Sequence, residues 1–345
     1  MNNQVLTEDI QQFAETFELW KQLQGKTFLV TGATGLIGSI LIKCLLELNR
    51  QKELGIKVVA VVRDLEKAKI VFEKDFSKIE FKQIALDDIS KDNMGTNIDY
   101  IIHLASPTAS KYFVDHPVET LRTSIEGTAV VLDYAKIAKI ESMVFASSLE
   151  VYGTNVDDKS IDESFQGYVN PLDVRSSYNM GKRAAECMCH SYANEYQVHV
   201  KIARLTQTTG AGIAKDDNRV IAQFARLAAE GQDIILHTTG ESARPYCYTT
   251  DAVSGILYIL LKGKDGEAYN VANEETYISA RDMAEYLKKK FNSAISVRVD
   301  LNNNMGYAPP TKLQLNSNKL RILGWKPQYQ LHDIFGNLIK SIAER

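Results

Sequence analysis

Thr31-Gly32-Ala33-Thr34-Gly35-Leu36-Ile37-Gly38 is the stretch on which the fold turns. A short apolar run, Thr27-Phe28-Leu29-Val30, leads into it, and a helical pattern over 36–48 leads out. Strand, glycine turn and helix in that order are the context a dinucleotide-binding fingerprint needs. Gly32 permits the tight turn, Gly35 lets the backbone approach a pyrophosphate, and Gly38 lets the helix pack closely. The helix start offers free N–H groups and the positive end of a dipole to phosphates. Thr34, Leu36 and Ile37 share the turn and count with the glycines as cofactor-binding candidates.

Outward from the turn, apolar runs recur over 58–62, 100–104, 143–146 and 198–202, with helical patterns over 117–137 and 177–196 between them. Short apolar strands alternating with helices predict an α/β protein with a doubly wound parallel sheet covered on both faces. After residue 205 the alternation loosens, and helices are expected near 251–262, 279–291 and 331–343. The expected organisation is a helical extension over 1–25, a dinucleotide-binding domain over 26–205, and a smaller α/β substrate lobe mainly over 206–345, interwoven with the first. The extension reads as an amphipathic helix over 7–24. Thr7 would cap it, Glu8 and Asp9 would sit in its first turn, and Phe13, Phe17, Trp20 and Gln24 follow helical spacing. It is expected to pack on the outside of the body, with a partner-binding role as the alternative.

The 345 residues carry 40 Lys plus Arg against 43 Asp plus Glu, a net charge of −3. Without a basic excess, nucleic acid and anionic membranes are poor candidates for the main partner. No apolar run reaches the ~18 residues of a membrane span, and the first nine residues lack the basic and apolar regions of a signal peptide. Cys44, Cys187, Cys189 and Cys247 have neither a disulfide-framework nor a metal-knuckle spacing, and the histidines show no ligand pattern. The expectation is a cytoplasmic protein with reduced cysteines and no metal. His103, inside a strand, reads as a core residue.

Two features address the chemistry. The second strand ends Val62-Arg63-Asp64, where an acid suits the 2′-hydroxyl of NAD and an arginine the 2′-phosphate of NADP, so both cofactors stay open. After the third strand, Asp88 and Ile89 are candidates for the adenine edge. Downstream, Ser148 follows the fourth apolar run, and Tyr178 and Lys182 stand four apart on one helix face. A neighbouring ammonium and a cationic nicotinamide would lower the tyrosine's pKa, and the phenolate could then take a proton from a sugar hydroxyl.

With these residues in view, the chain resembles the extended short-chain dehydrogenase/reductases, in the NAD-dependent epimerase/dehydratase group that acts on nucleotide sugars, over roughly residues 26–330. The resemblance implies a Rossmann domain with a small C-terminal lobe, and catalytic roles for Ser148, Tyr178 and Lys182. Within the group it is most similar to UDP-glucuronate decarboxylases, through Leu104-Ala105-Ser106-Pro107, His116-Pro117-Val118-Glu119-Thr120, Glu150-Val151-Tyr152-Gly153, Asn170-Pro171, Arg175-Ser176-Ser177-Tyr178, Arg204-Leu205-Thr206-Gln207-Thr208, Asn218-Arg219-Val220 and Ala243-Arg244-Pro245-Tyr246. By that likeness Leu104, Ala105 and Ser106 line the cofactor. Ser106, Pro107, Glu150, Arg175, Gln207, Arg219 and Arg244 face a nucleotide-diphosphate sugar, with Glu150 acting near C5 once C4 is a ketone. Four positions depart from the pattern: Leu149 stands where dehydratases carry aspartate and decarboxylases serine, Gln207 and Ser124 replace asparagines, and Arg63 replaces an acid. A 4-epimerase or a 4,6-dehydratase is the alternative activity, and a non-catalytic dinucleotide sensor the alternative of another kind. Relatives pair through two helices, so a homodimer through 117–137 and 177–196 is expected.

Overall fold

The computed structural model describes residues 3–301 and 310–344. In chain order the first elements are α1 (Gln4–Thr16), β1 (Thr27–Thr31), α2 (Leu36–Lys52), β2 (Lys57–Val62), α3 (Leu65–Phe72), β3 (Glu80–Gln83), α4 (Lys91–Met94), β4 (Tyr100–His103), α5 (Ser110–Asp115), α6 (Pro117–Ala138) and β5 (Ser142–Ser148). Then come β6 (Ser160–Ile161), α7 (Ser176–Tyr196), β7 (Val200–Leu205), β8 (Gln207–Thr209), α8 (Val220–Glu230), β9 (Ile234–Leu236), β10 (Ala243–Tyr248) and α9 (Thr249–Lys262). The last are β11 (Ala268–Val271), β12 (Asn273–Ser279), α10 (Ala280–Lys290), β13 (Val297–Val299), β14 (Gln314–Leu315), α11 (Asn318–Ile322) and α12 (Leu331–Ala343).

Seven strands form one parallel sheet in the order β11-β7-β5-β4-β1-β2-β3. The alternation of the strands explains the layers. Phe28 and Val30 of β1 point into a core shared with α2 and α9, while Leu29 between them points into a second core shared with α6 and α7. Strand order reverses between β1 and β4, and a crevice at the carboxyl ends of the strands is the place such a sheet binds ligands. The seventh strand, β11, and α9 return to this sheet after residue 205. Their apolar side chains (Val271; Ile256, Leu257) belong to the same core as α2.

The small lobe is a three-stranded sheet, β12-β10-β8, and a two-stranded one, β13-β9, packed by α8, α10 and α12. A short pair, β14-β6, closes a fourth cluster around Leu149, Tyr152 and Leu315. No helix among the described residues is long and apolar enough to cross a membrane.

The N-terminal helix starts earlier than the sequence suggests. Asn3 caps it by accepting from the Leu6 amide at 3.1 Å, and the Thr7 hydroxyl donates to the Asn3 carbonyl instead of capping. With the start moved to Gln4, Asp9 lies in the second turn, on the buried face with Val5, Phe13 and Ala14. The helix ends at Thr16, and a 3-10 turn over Trp20–Leu23 follows. Phe13 and Phe17 stack with centroids 5.3 Å apart, and Phe17 meets Tyr258 of α9 edge-on.

Candidate active site

The glycine turn is built as its spacing predicts. Gly32 has φ +68°, and a Cβ there would lie 2.7 Å from the Leu104 carbonyl carbon and 2.8 Å from the Ala105 nitrogen. A Cβ on Gly38 would lie 2.3 Å from the Gly32 carbonyl oxygen, so α2 can seat on the turn only with glycine there. Gly35 is the N-cap of α2 and supplies no side chain to its free amides. This bare helix start at the switch point, open to an approaching backbone-sized group, fits a dinucleotide pyrophosphate. Thr34, Leu36 and Ile37 are half-buried around it. Leu104 and Ala105 close the turn from β4: the Leu104 amide donates to the Thr31 carbonyl at 3.3 Å and the Ala105 amide to the Thr31 hydroxyl at 3.2 Å. Ser106 and Pro107 follow, half-buried. His103 is a core residue: its ring nitrogens meet the hydroxyls of Thr31 (2.7 Å) and Thr128 (3.3 Å), and burial lowers its pKa to about 3.

At the far end, Arg63 and Asp64 are both exposed just past β2. Asp64 caps α3, accepting from the Lys67 amide at 2.9 Å, so its carboxylate is engaged locally. Arg63 makes no side-chain hydrogen bond or ion pair among the described residues, and it borders a shallow depression with Gln83, Ile84 and Ala85. Asp88 ends a 3-10 turn, exposed. The Ile89 side chain is buried in the α6/α7 core, so only its backbone can serve an adenine edge.

Ser148, Glu150, Tyr178 and Lys182 come together past the end of β5. Ser148 closes the strand and accepts from the Glu150 amide at 3.2 Å, starting a 3-10 turn over Leu149–Tyr152. Asn179, next to Tyr178 on α7, donates to the Glu150 carbonyl (2.8 Å) and to its carboxylate (3.3 Å). Burial raises the Tyr178 pKa to about 12, a hydrogen bond with Ser148 opposes the rise, and the nearby Glu150 charge adds to it. The expected lowering by Lys182 is not what the protein's own groups do. The Lys182 ammonium is buried, donates to the Ala146 carbonyl at 2.7 Å and sits over the Phe145 ring at 4.7 Å and the Tyr178 ring at 5.8 Å. Burial lowers the Lys182 pKa to about 8, against the raising influence of Glu186.

Among the substrate-side candidates, Arg175 precedes α7, half-buried, and Gln207 opens β8 beside Tyr246 of β10. Arg244 and Arg219 both act electrostatically on buried Tyr246, so two cations converge on one side of the small lobe. They differ in freedom. Arg219 is held by Asp217 (Nε to Oδ1 3.0 Å, NH2 to Oδ2 2.6 Å) and by the Thr208 carbonyl (2.6 Å), which leaves two of its five N–H groups. Arg244 has no such tether among the described residues. Leu149 turns away from the cluster into the apolar group of Tyr152, Ile161 and Leu315.

Three features escape sequence reading. Phe113 of α5 stacks on Tyr178 with centroids 4.2 Å apart and planes 8° off parallel. A six-residue helix is too short for its aromatics to show a periodic signal. Asn179 ties Glu150 to α7. Behind Lys182, Glu186 is buried with Arg204 (Oε2 to NH2 2.6 Å) and accepts from the Ser147 hydroxyl at 2.5 Å, fixing α7 to β5 and β7. The Lys182–Glu186 spacing of four was the available signal.

Comparison with known proteins identifies the family and the fold. The family model described as "NAD dependent epimerase/dehydratase family" matches residues 28–272. UDP-glucuronic acid decarboxylase 3 of Arabidopsis thaliana is 30% identical over 305 residues, 88% of this chain and 85% of the relative. The crystal structure of UDP-glucose 4-epimerase from Thermotoga maritima with UDP-glucose superposes with a TM-score of 0.76 at 20% identity, covering 92% of this chain and 99% of that one. A dTDP-glucose 4,6-dehydratase from Streptomyces venezuelae with NAD bound gives a TM-score of 0.75 at 22% identity, covering 92% and 97%. With its glycine turn, its clustered serine, tyrosine and lysine, and a family match spanning more than half its length, the chain belongs to the NAD dependent epimerase/dehydratase family of enzymes.

Proposed function

We propose that the protein decarboxylates UDP-glucuronate through transient oxidation at C4. The turn of Gly32, Gly35 and Gly38 would hold a nicotinamide dinucleotide, which would supply the oxidation by accepting a hydride from C4 and giving it back at the end. Tyr178 takes the C4 hydroxyl proton, and Ser148, hydrogen-bonded beside it, holds the C4 oxygen. Lys182, an ammonium below about pH 8, adds positive charge behind the phenol and a donor for the cofactor's ribose. Once C4 is a ketone, the sugar is a β-keto acid. The C5–C6 bond breaks, carbon dioxide leaves, and its electron pair passes into the enolate spanning C4 and C5. Glu150 governs the proton that then returns to C5. Arg244 holds the diphosphate or the sugar carboxylate, and Arg219 supports it with its two remaining N–H groups.

The observation that carries the reading is the meeting of Ser148, Glu150 and Tyr178 around one phenol. Leu149, buried at the position where a dehydratase places its acid, disfavours loss of water. The likeness to a decarboxylase at 30% identity supports the choice over epimerisation. The test is to incubate protein, NAD and UDP-glucuronate and weigh the product. Loss of carbon dioxide supports the reading; an unchanged mass (epimerisation) or loss of water overturns it, as does no product at all. Tyr178→Phe should abolish turnover while NAD still binds.

For the cofactor, Arg63 offers a cation where a 2′-phosphate would lie, and Asp64 is committed to its helix cap. The site therefore accepts NADP at least as well as NAD. Competitive binding of the two decides it: a preference for NAD of tenfold or more would refute the role given to Arg63. A cytosolic homodimer through α6 and α7 completes the proposal, and light scattering tests the stoichiometry.

A further inference from the structure

The N-terminal helix lies before the family-matched region and yet reaches the substrate lobe. Asp9 is 4% exposed. Its Oδ2 accepts from the Tyr248 hydroxyl at 2.5 Å, and its Oδ1 accepts from Tyr329 at 3.3 Å and Asn337 at 3.5 Å. The Tyr248 hydroxyl in turn accepts from the Ala211 amide at 3.3 Å and from Asn337 at 3.1 Å. Tyr248 ends β10, the strand that carries Arg244 and Tyr246, and Ala211 opens the loop that leads to Asp217 and Arg219. That loop is wedged between α1 and α2: a Cβ on Gly212 would lie 3.3 Å from Leu6 and 3.7 Å from Ile40. One carboxylate on α1 thus ends a hydrogen-bond chain into both arginine-bearing segments.

We propose that Asp9 is a positioning residue for substrate: through the Tyr248 hydroxyl it fixes the 210–219 loop and β10, and so the arginines that receive a nucleoside diphosphate. The proposal rests on the reading above that Arg219 and Arg244 bind that group. The surroundings are suited to a buried anion supported by neutral donors. Tyr248, Tyr329, Asn337 and Gln12 are the neutral neighbours, and the single Tyr329 hydroxyl hydrogen is shared between Asp9 and the Gln12 Oε1 at 3.2 Å. Glu8 on α1, Asp251 on α9 and Cys44 on α2 act on or feel Asp9 as potential negative charges, and Lys340 on α12 is the cation that acts on it. Burial holds the Asp9 carboxyl up at about 6, against the Tyr248 and Tyr329 hydrogen bonds, so the charge-assisted link is complete above that pH.

The test uses the full chain and three variants, Asp9→Asn, Tyr248→Phe and the double. Hydrogen–deuterium exchange of 210–219 and 243–248 reads the coupling without any ligand. It should speed up in each variant while 31–48 is unchanged. UDP then serves as probe in calorimetry, alongside NAD. Each single variant should weaken UDP ~5-fold or more with NAD affinity held, and the double should be no worse than the weaker single, since both remove one link. As pH falls below about 6, wild type should lose more UDP affinity than Asp9→Asn, since protonation of the terminal phosphate of UDP weakens both alike. Unchanged exchange in the two segments, additive losses, or an equal loss of NAD would overturn the positioning role. Faster exchange with no UDP binding even by wild type would instead overturn the substrate reading and leave the coupling standing.

Discussion

At the scale of single residues, the site separates binding from chemistry. Among the described residues Glu150 has no hydrogen bond to the phosphate turn or the arginines; its partners are Ser148, Gly153, Asn179 and, through charge, Tyr178. Glu150→Gln should therefore leave cofactor affinity unchanged and allow oxidation at C4, seen as reduced-nicotinamide absorbance on mixing with UDP-glucuronate. Formation of the decarboxylated sugar, which needs the proton at C5, should fall ~10²–10⁴-fold, the usual worth of a positioned acid or base. Equal loss of both signals would place Glu150 in the oxidation step instead. Arg63 offers a complementary test at the other end of the cofactor. Its side chain has no partner among the described residues, so Arg63→Asp should fold normally and shift the NADP-to-NAD affinity ratio toward NAD by ~10-fold or more, as expected for replacing an attractive charge with a repulsive one. Direct titration with both cofactors reads that ratio.

At the scale of elements, α7 carries the chemistry and is held from two sides. Towards the sheet, Glu186 pairs with Arg204 of β7 and accepts from Ser147 of β5. Towards α6, Gly181 lets the helices close: a Cβ there would lie 2.9 Å from the Ser124 Cβ. Glu186→Gln should destabilise the fold by ~3–5 kcal/mol, because it leaves the buried Arg204 guanidinium without its counter-charge. Gly181→Ala should cost ~1–3 kcal/mol by overpacking. Urea titration measures both. These elements also show what the sequence discloses. The turn at Gly32 and Gly38 was legible because contact with the Leu104 and Gly32 backbones leaves no other residue room, and a steric demand of that kind writes itself as spacing. The helix that carries Tyr178 and five of the seven strands of the large sheet were legible as period and run. Phe113 over Tyr178 was not, because the two come from helices joined only by the fold. Asp9 was read as a first-turn acid, and its partners Tyr248 and Tyr329 lie 239 and 320 residues away, where no local pattern reaches.

At the scale of the whole molecule, stability and activity draw on the same buried charges. Lys182 has a folded pKa of about 8 against 10.5 when unfolded. Below pH 8 both states hold the proton, and the folded state bears the full cost of a buried ammonium. Between 8 and 10.5 the unfolded chain binds more protons, so this residue's contribution to stability improves as pH rises. Asp9 runs the other way in a lower window. Its pKa rises from 3.8 to about 6 on folding, so its contribution worsens as pH climbs between those values and is constant above. His103, lowered from 6.5 to about 3, improves stability over much of that same window, and the two oppose each other there. On the alkaline limb neither Asp9 nor His103 titrates, and a Lys182 variant sets Lys182 apart from the other groups that titrate there, among them Lys43 and the buried thiols of Cys44, Cys189 and Cys247. Guanidinium denaturation of wild type and Lys182→Met, compared at pH 7, 8, 9 and 10, should show the difference moving steadily in the wild type's favour as pH rises. A difference that stays flat would mean the ammonium is not strained by its burial. The depressed pKa, and with it the positive charge assigned to the space behind Tyr178, would then need another origin.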